Sequence, residues 1–204
     1  MKIQDLINKK ISIAEKRIQE LTKSNDLKRL SETEKYQISK FYEEKSKNRL
    51  ETAKIIYNAS KKSITGNYKD YAEVVAAAYY AMYYIIHAFL ALEYKTKLRE
   101  DLRGVHVITE YIILYYLVKT KKLAKHLYEE YLKTFETTTQ IQKISVEDFQ
   151  EKAYEYVRHY DKTRTARETF TYNTTFNVEE YHARQAISTA EEFINTVRQV
   201  MILK

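Results

Sequence analysis

The longest apolar run in the chain, Ala76 to Leu92, continues a ramp from Asp70 to Val75 and makes a stretch of over twenty residues without Gly or Pro. That is too long for a strand and predicts a central helix. Ala76, Tyr80, Tyr83, His87 and Leu90 recur at 4-3-4-3 spacing on one face, and Ala77, Ala81, Tyr84, Ala88 and Ala91 fall on the next. A helix that is apolar nearly all round is one that other helices surround. Its alanines let neighbouring backbones come close, while its phenol rings supply buried area with a polar tip that needs a partner. Several tyrosine hydroxyls are therefore expected at the rim of the bundle.

The same periodicity places the other helices. From Lys2 to Thr22, the positions Ile7, Ile11, Ala14, Ile18 and Leu21 form a three-heptad apolar seam on a charged helix, which must lie on the parent bundle or on a second chain. Ser24-Asn25-Asp26 breaks it, and Ser31-Glu32-Thr33-Glu34 has the form of a capping box opening a long second helix to about Lys62. That helix carries Tyr36, Phe41, Leu50, Ala53, Ile56 and Tyr57, and a turn containing Gly66 makes it an antiparallel neighbour of the central helix. Residues 93–104 read as a charged connector. A fourth helix is expected from Val105 to Val118, with Val105, Ile108, Tyr111, Ile112 and Tyr115 inward, followed by a lysine cluster of Lys119, Lys121, Lys122 and Lys125. Ala124 to Phe135 predicts a short helix and the Thr-rich Glu136 to Ile144 a loop. Ser145 opens another helix towards Phe170, Tyr172 to Asn177 is a second loop, and Val178 onwards forms the last helix, with Ala183, Ala186, Ile187, Ala190, Ile194, Val197 and Met201 inward.

Composition sharpens this picture. The 204 residues include no Pro and only two Gly, which points to an all-α, up-and-down bundle with few sharp turns. The expected organisation is an N-terminal helical extension over 1–35 and a bundle over 36–204. The absence of Cys excludes disulfides, zinc ribbons and thiol catalysis, and fits a cytoplasmic setting. The first thirty residues are charged throughout, so no signal peptide is expected. The central run contains His87 and falls slightly short of the usual spanning length, so no membrane segment is expected either. A formal charge of +7 gives a modest bias towards anionic partners.

Several elements occur together in a suggestive order. Lys45 to Ala59, Asn67-Tyr68-Lys69-Asp70-Tyr71-Ala72 and Ala78-Tyr79-Tyr80-Ala81-Met82 are followed by Gly104-Val105-His106, by Arg167-Glu168-Thr169-Phe170-Thr171-Tyr172, and by Ala190-Glu191-Glu192-Phe193. This set resembles the HEPN domains, small helical bundles of prokaryotic defence and toxin–antitoxin systems, and in particular their compact branch with an Ala-Tyr-Tyr-Ala-Met centre. The resemblance spans about 45–200. It implies a homodimer acting on RNA without metal or cofactor, or a partner of a minimal nucleotidyltransferase.

In that family an Arg-x(4–6)-His motif carries the chemistry. Arg holds the scissile phosphate and its developing charge, and a His titrating near neutrality moves the proton of the ribose 2′-hydroxyl. Here Arg167 matches the Arg, but the residue five positions on is Tyr172. A phenol titrating near 10 is a poor base at pH 7, so the resemblance transfers phosphate binding more directly than cleavage. Arg99 and His106 satisfy the motif's spacing in the connector before the fourth helix, away from its place in the family. Arg158, Lys162, Arg164 and Arg167 form a basic stretch that is either a phosphate-facing edge with Tyr160 available to stack on a base, or a solvated face with local ion pairs. His87 reads as a core histidine. His126, His159 and His182 lack paired carboxylates at ligand spacing, so no metal site is expected.

Three functions follow as expectations. The first is an RNA-directed effector, a metal-independent endoribonuclease with a degenerate motif. The second is a non-catalytic partner that binds a nucleotide or docks a nucleotidyltransferase. The third is a coiled-coil adaptor that uses the seam from Ile7 to Leu21.

Overall fold

The computed structural model describes residues 3–62, 69–99, 101–141 and 178–202. Helix α1 (Ile3–Lys23) leads through a turn at Asn25, whose φ is +60°, into a short strand, β1 (Leu27–Arg29). Helix α2 (Glu32–Lys61) begins at the expected box: the Ser31 hydroxyl accepts from the Glu34 amide at 3.3 Å, and the Glu34 carboxylate accepts from the Ser31 amide at 2.8 Å. Such a cap contributes about 1 kcal/mol. Helix α3 (Tyr71–Tyr94) is capped by Asp70, and it ends at Lys95 in the left-handed region. Strand β2 (Thr96–Leu98) then pairs antiparallel with β1, Leu27 opposite Leu98. Helices α4 (Val105–Ile112), α5 (Lys125–Ile141) and α6 (Glu180–Ile202) follow, with a π-helical segment, Ile113–Val118, between α4 and α5. The protein is an all-α bundle carrying one small two-stranded ribbon.

Helix α3 is the hub, as its composition requires. From Val74 to Ala91 nearly every side chain is buried, including His87, and only Tyr80, Tyr83 and Tyr84 reach the rim. It is long and apolar enough to cross a membrane, but its apolar surface is covered by α2, α5 and α6. Helix α2 lies along it through Ser39, Ser46, Ala53 and Ser60, its buried residues, one every seven positions. Small side chains let the two backbones close, and two polar contacts set the alignment. The Ser46 hydroxyl donates to the Ala81 carbonyl at 2.7 Å, and the Asp70 amide donates to the Ser60 hydroxyl at 3.1 Å. Late residues of α2 meet early residues of α3, so the two run antiparallel. Because the serines occupy the contact line, Tyr36 and Phe41 are left on the outside, 58% and 50% exposed, rather than inward with Ala53.

The seam of α1 is buried in its own chain. Ala14, Ile18 and Leu21 join the same apolar core as α3, and Lys10–Glu110 at 3.0 Å and Lys119–Glu15 at 2.8 Å tie the helix to α4 and the segment after it. That segment, Ile113–Val118, is π-helical, and the Lys119 amide reaches back five residues to the Leu114 carbonyl at 2.9 Å. The wider turn brings Ile112, Ile113 and Leu114 inward together with Leu117, four buried residues where an α-turn would bury fewer.

Two expectations are corrected. The charged connector after α3 contains β2, which the ribbon holds through Leu30 donating to the Lys95 carbonyl at 2.8 Å. The Thr-rich stretch from Glu136 is helical as far as Ile141. Its threonines do not break α5 because Thr138 and Thr139 return their hydroxyls to the Thr134 and Glu136 carbonyls, at 2.8 and 2.7 Å. The expected helix from Ser145 and the loop after Tyr172 lie outside the described residues.

Candidate functional site

Arg158, Lys162, Arg164, Arg167 and Tyr172 also lie outside the described residues. Arg99 and His106 are described, and each is committed to other partners. Arg99 follows β2, where its amide donates to the Asp26 carbonyl at 2.9 Å. Its guanidinium is held between two carboxylates, Nη1 3.0 Å from Asp26 and Nε 2.6 Å from Asp101. The positive charge that a phosphate would need is largely balanced there.

His106 is reached by a turn at Gly104, whose φ of +69° favours glycine, and it projects from the first turn of α4 into a cluster of rings. Its centroid lies 4.9 Å from Tyr83, 5.7 Å from Tyr79 and 5.8 Å from Tyr80. Nδ1 and the Tyr79 hydroxyl are 2.9 Å apart. Burial of the ring lowers its pKa to about 4, because a charged imidazolium would lose its hydration there. One turn along α3, His87 is buried deeper, and burial lowers its pKa to about 3. Its Nε2 lies 3.2 Å from the Thr109 hydroxyl, which donates to the Val105 carbonyl at 2.7 Å. A hydroxyl has one proton to give, so the network assigns the proton on this edge of His87 to Nε2.

Tyrosines complete the cluster. Tyr79 packs on Tyr131 at 5.8 Å and Phe135 at 5.3 Å, and burial raises the Tyr79, Tyr83 and Tyr131 phenols above their ordinary value. Below this layer the Glu110 carboxylate accepts from Lys10 at 3.0 Å and from the Tyr128 hydroxyl at 2.8 Å. At neutral pH the cluster is therefore a set of neutral donors and acceptors. It can bind and orient, but a histidine titrating near 4 is a weak base for a 2′-hydroxyl. The spacing of His106, Thr109 and Glu110 among Val105, Ile108 and Ile112 is the sequence signal for this polar stripe on an otherwise apolar helix.

The lysine cluster after α4 borders an open cleft of about 510 Å³, with Ile11, Val118 and Leu123 as its apolar wall and Lys119, Lys121 and Lys125 around it. Lys119 is engaged with Glu15 and lies 5.0 Å over the Tyr115 ring. Among the described residues no three His, Asp or Glu side chains are grouped to hold a metal ion.

Comparison of the chain with family models, with curated proteins and with solved structures finds no match in any of the three.

Proposed function

We propose that this chain is a HEPN-type module of a toxin–antitoxin-like pair, cytoplasmic and homodimeric, that binds RNA or a nucleotide and docks a minimal nucleotidyltransferase without cutting RNA itself. The observation that carries the non-catalytic form of this reading is the state of Arg99 and His106. The one pair with the family's full spacing has its cation between Asp26 and Asp101, and its imidazole bonded to Tyr79 with a pKa of about 4. Phosphate binding then falls to Arg158, Lys162, Arg164 and Arg167, where Tyr172 stands at the position of the family's histidine.

The second reading, a metal-independent endoribonuclease, is favoured by the spacing of Arg167 and Tyr172. Arg167 would hold the phosphate, Arg164 would assist, and the Tyr172 phenol would act as proton donor.

The test is incubation of labelled total RNA and tRNA with purified wild type and Arg167→Ala, without added metal, scored for both binding and strand cleavage. Binding without cleavage over a range of pH supports the non-catalytic reading. Cleavage that disappears in Arg167→Ala overturns it in favour of the endoribonuclease, and the absence of both binding and cleavage overturns the RNA reading altogether.

A further inference from the structure

Helices α2 and α3 share an outer edge on which rings and cations alternate. Phe41, Lys45 and Arg49 follow one another at four-residue spacing on α2, and Tyr80 and Tyr84 do so on α3. Residues four apart on a helix face the same way, so the two rows run side by side. Lys45 Nζ sits 4.6 Å from the centre of the Phe41 ring and 5.4 Å from that of Tyr84, and the Arg49 guanidinium lies 5.7 Å from the Tyr80 ring. Tyr42 stacks on Tyr84 at 6.1 Å and 22°, which supports the middle of the row from beneath. Phe41 is half exposed, Lys45 and Arg49 are exposed, and Tyr80 and Tyr84 are partly so. Among the described residues no carboxylate pairs with Lys45 or Arg49.

The arrangement costs the free protein something. An exposed Phe side chain forgoes burial, and a cation over a ring at the surface recovers only part of that. What the edge gains is a face that offers an aromatic surface and unbalanced positive charge together, over about 12 Å of helix between Phe41 and Arg49. A second copy of the same edge would bring these cations against each other. A base-paired duplex has no free base face to offer a ring. A single strand has both an open base face and a phosphate for each nucleotide.

We propose that this edge binds single-stranded RNA, with Phe41 stacking on a base and Lys45 and Arg49 meeting phosphates on either side of it. The proposal rests on the RNA-directed reading above. It adds a surface on α2 and α3 that is separate in sequence from Arg158 to Arg167.

The test is fluorescence anisotropy with a labelled single-stranded oligonucleotide, poly-U or poly-A of a dozen nucleotides, and with the matching duplex, over a salt series. The proteins are full-length wild type, Phe41→Ala and the double variant Lys45→Gln/Arg49→Gln. All three positions are at the surface, and circular dichroism melts confirm that each variant is folded. The expected result is tighter binding of the single strand than of the duplex, and a loss of about tenfold in Phe41→Ala. In the double variant the slope of log K against log salt falls by about 1.4, from about 0.7 for each lost phosphate contact. Wild-type binding that neither variant weakens overturns this edge as the site and leaves the RNA reading standing. No single-strand binding by wild type overturns both, and a variant that changes the oligomeric state instead of RNA affinity assigns the edge to a second copy.

Discussion

The Tyr79 hydroxyl and His106 Nδ1, 2.9 Å apart, join the hub helix α3 to the start of α4 inside a shell of aromatic rings. The bond holds an imidazole that stays neutral far below its ordinary range. Together with His87 this makes the fold sensitive to acid. Both histidines have folded pKa values, about 4 and about 3, below the ordinary 6.5. The unfolded chain therefore binds more protons as pH falls below 6.5, and stability present above that pH is lost on the way down. The loss is up to about 1.4 kcal/mol per pH unit for each histidine. Urea unfolding at pH 7.5, 6 and 5 checks this, and His106→Phe/His87→Phe flattens the profile.

Thr109 tests the tautomer. Replacing it by Val leaves the buried His87 Nε2–H without its acceptor, at a cost of about 1–3 kcal/mol. Thr109→Ser keeps the oxygen and is expected to cost about 1 kcal/mol, the transfer energy of one methyl group. Thermal melts of the two variants separate the outcomes. Equal losses would show that the hydroxyl is idle.

Two neighbouring phenols should differ in weight. The Tyr131 hydroxyl is buried against that of Tyr79 and has no further partner among the described residues, whereas Tyr79 is also bonded to His106. Tyr131→Phe is expected to cost no more than about 1 kcal/mol, while Tyr79→Phe costs about 1–3 kcal/mol by removing the partner of Nδ1. Chemical denaturation of both, at one pH, decides.

The seam between α2 and α3 leaves no room for bulk. Ser46 is fully buried, so Ser46→Ala loses one hydrogen bond, about 1 kcal/mol, while the Ala81 carbonyl keeps its place in the helix. Ser46→Leu must separate the helices and is expected to cost about 3 kcal/mol or more. A tolerated leucine would mean the helices are not in close contact there.

Ile18, on the buried face of α1, separates packing within the chain from pairing between chains. Ile18→Asp places an unpaired charge in the core and is expected to lower stability by several kcal/mol at any protein concentration. Loss of an oligomer with an unchanged melt, seen by light scattering and calorimetry, would instead support an adaptor role for this seam.

The parts of this fold legible in the chain are those with long, one-sided signals. Ala76 to Leu92 could be nothing but a central helix, and Ser31 with Glu34 marked the start of α2 to the residue. The two strands were not legible, because three residues such as Thr96-Lys97-Leu98 carry no period and depend on a partner seventy residues away. The helical stretch from Glu136 to Ile141 was hidden because threonine disfavours helices on average, yet back-bonds within α5 when packed. The outward position of Phe41 has no mark in the chain, because large and small side chains on α2 do not sort by face. The true contact line of α2 is serine and alanine, which no hydrophobicity pattern marks. His106 could be named as a candidate from spacing, but its depressed titration depends on tyrosines that only the fold gathers.

That serine and alanine line also has a consequence for how α2 finds its place. Four small residues at a constant seven-residue interval form a nearly uniform track, so sliding α2 along α3 by one interval, about 10 Å, would meet almost the same surface. Along that line alone such frames are close in energy. The Ser46–Ala81 and Ser60–Asp70 bonds, with the Tyr42–Tyr84 and Tyr57–Tyr71 ring contacts beside them, act as indexing pins at separate points of the track. Removing both hydroxyls would then leave the frame to the rings, and adding Tyr42→Ala and Tyr57→Ala would admit a second, slipped population, visible as doubled amide signals along α2.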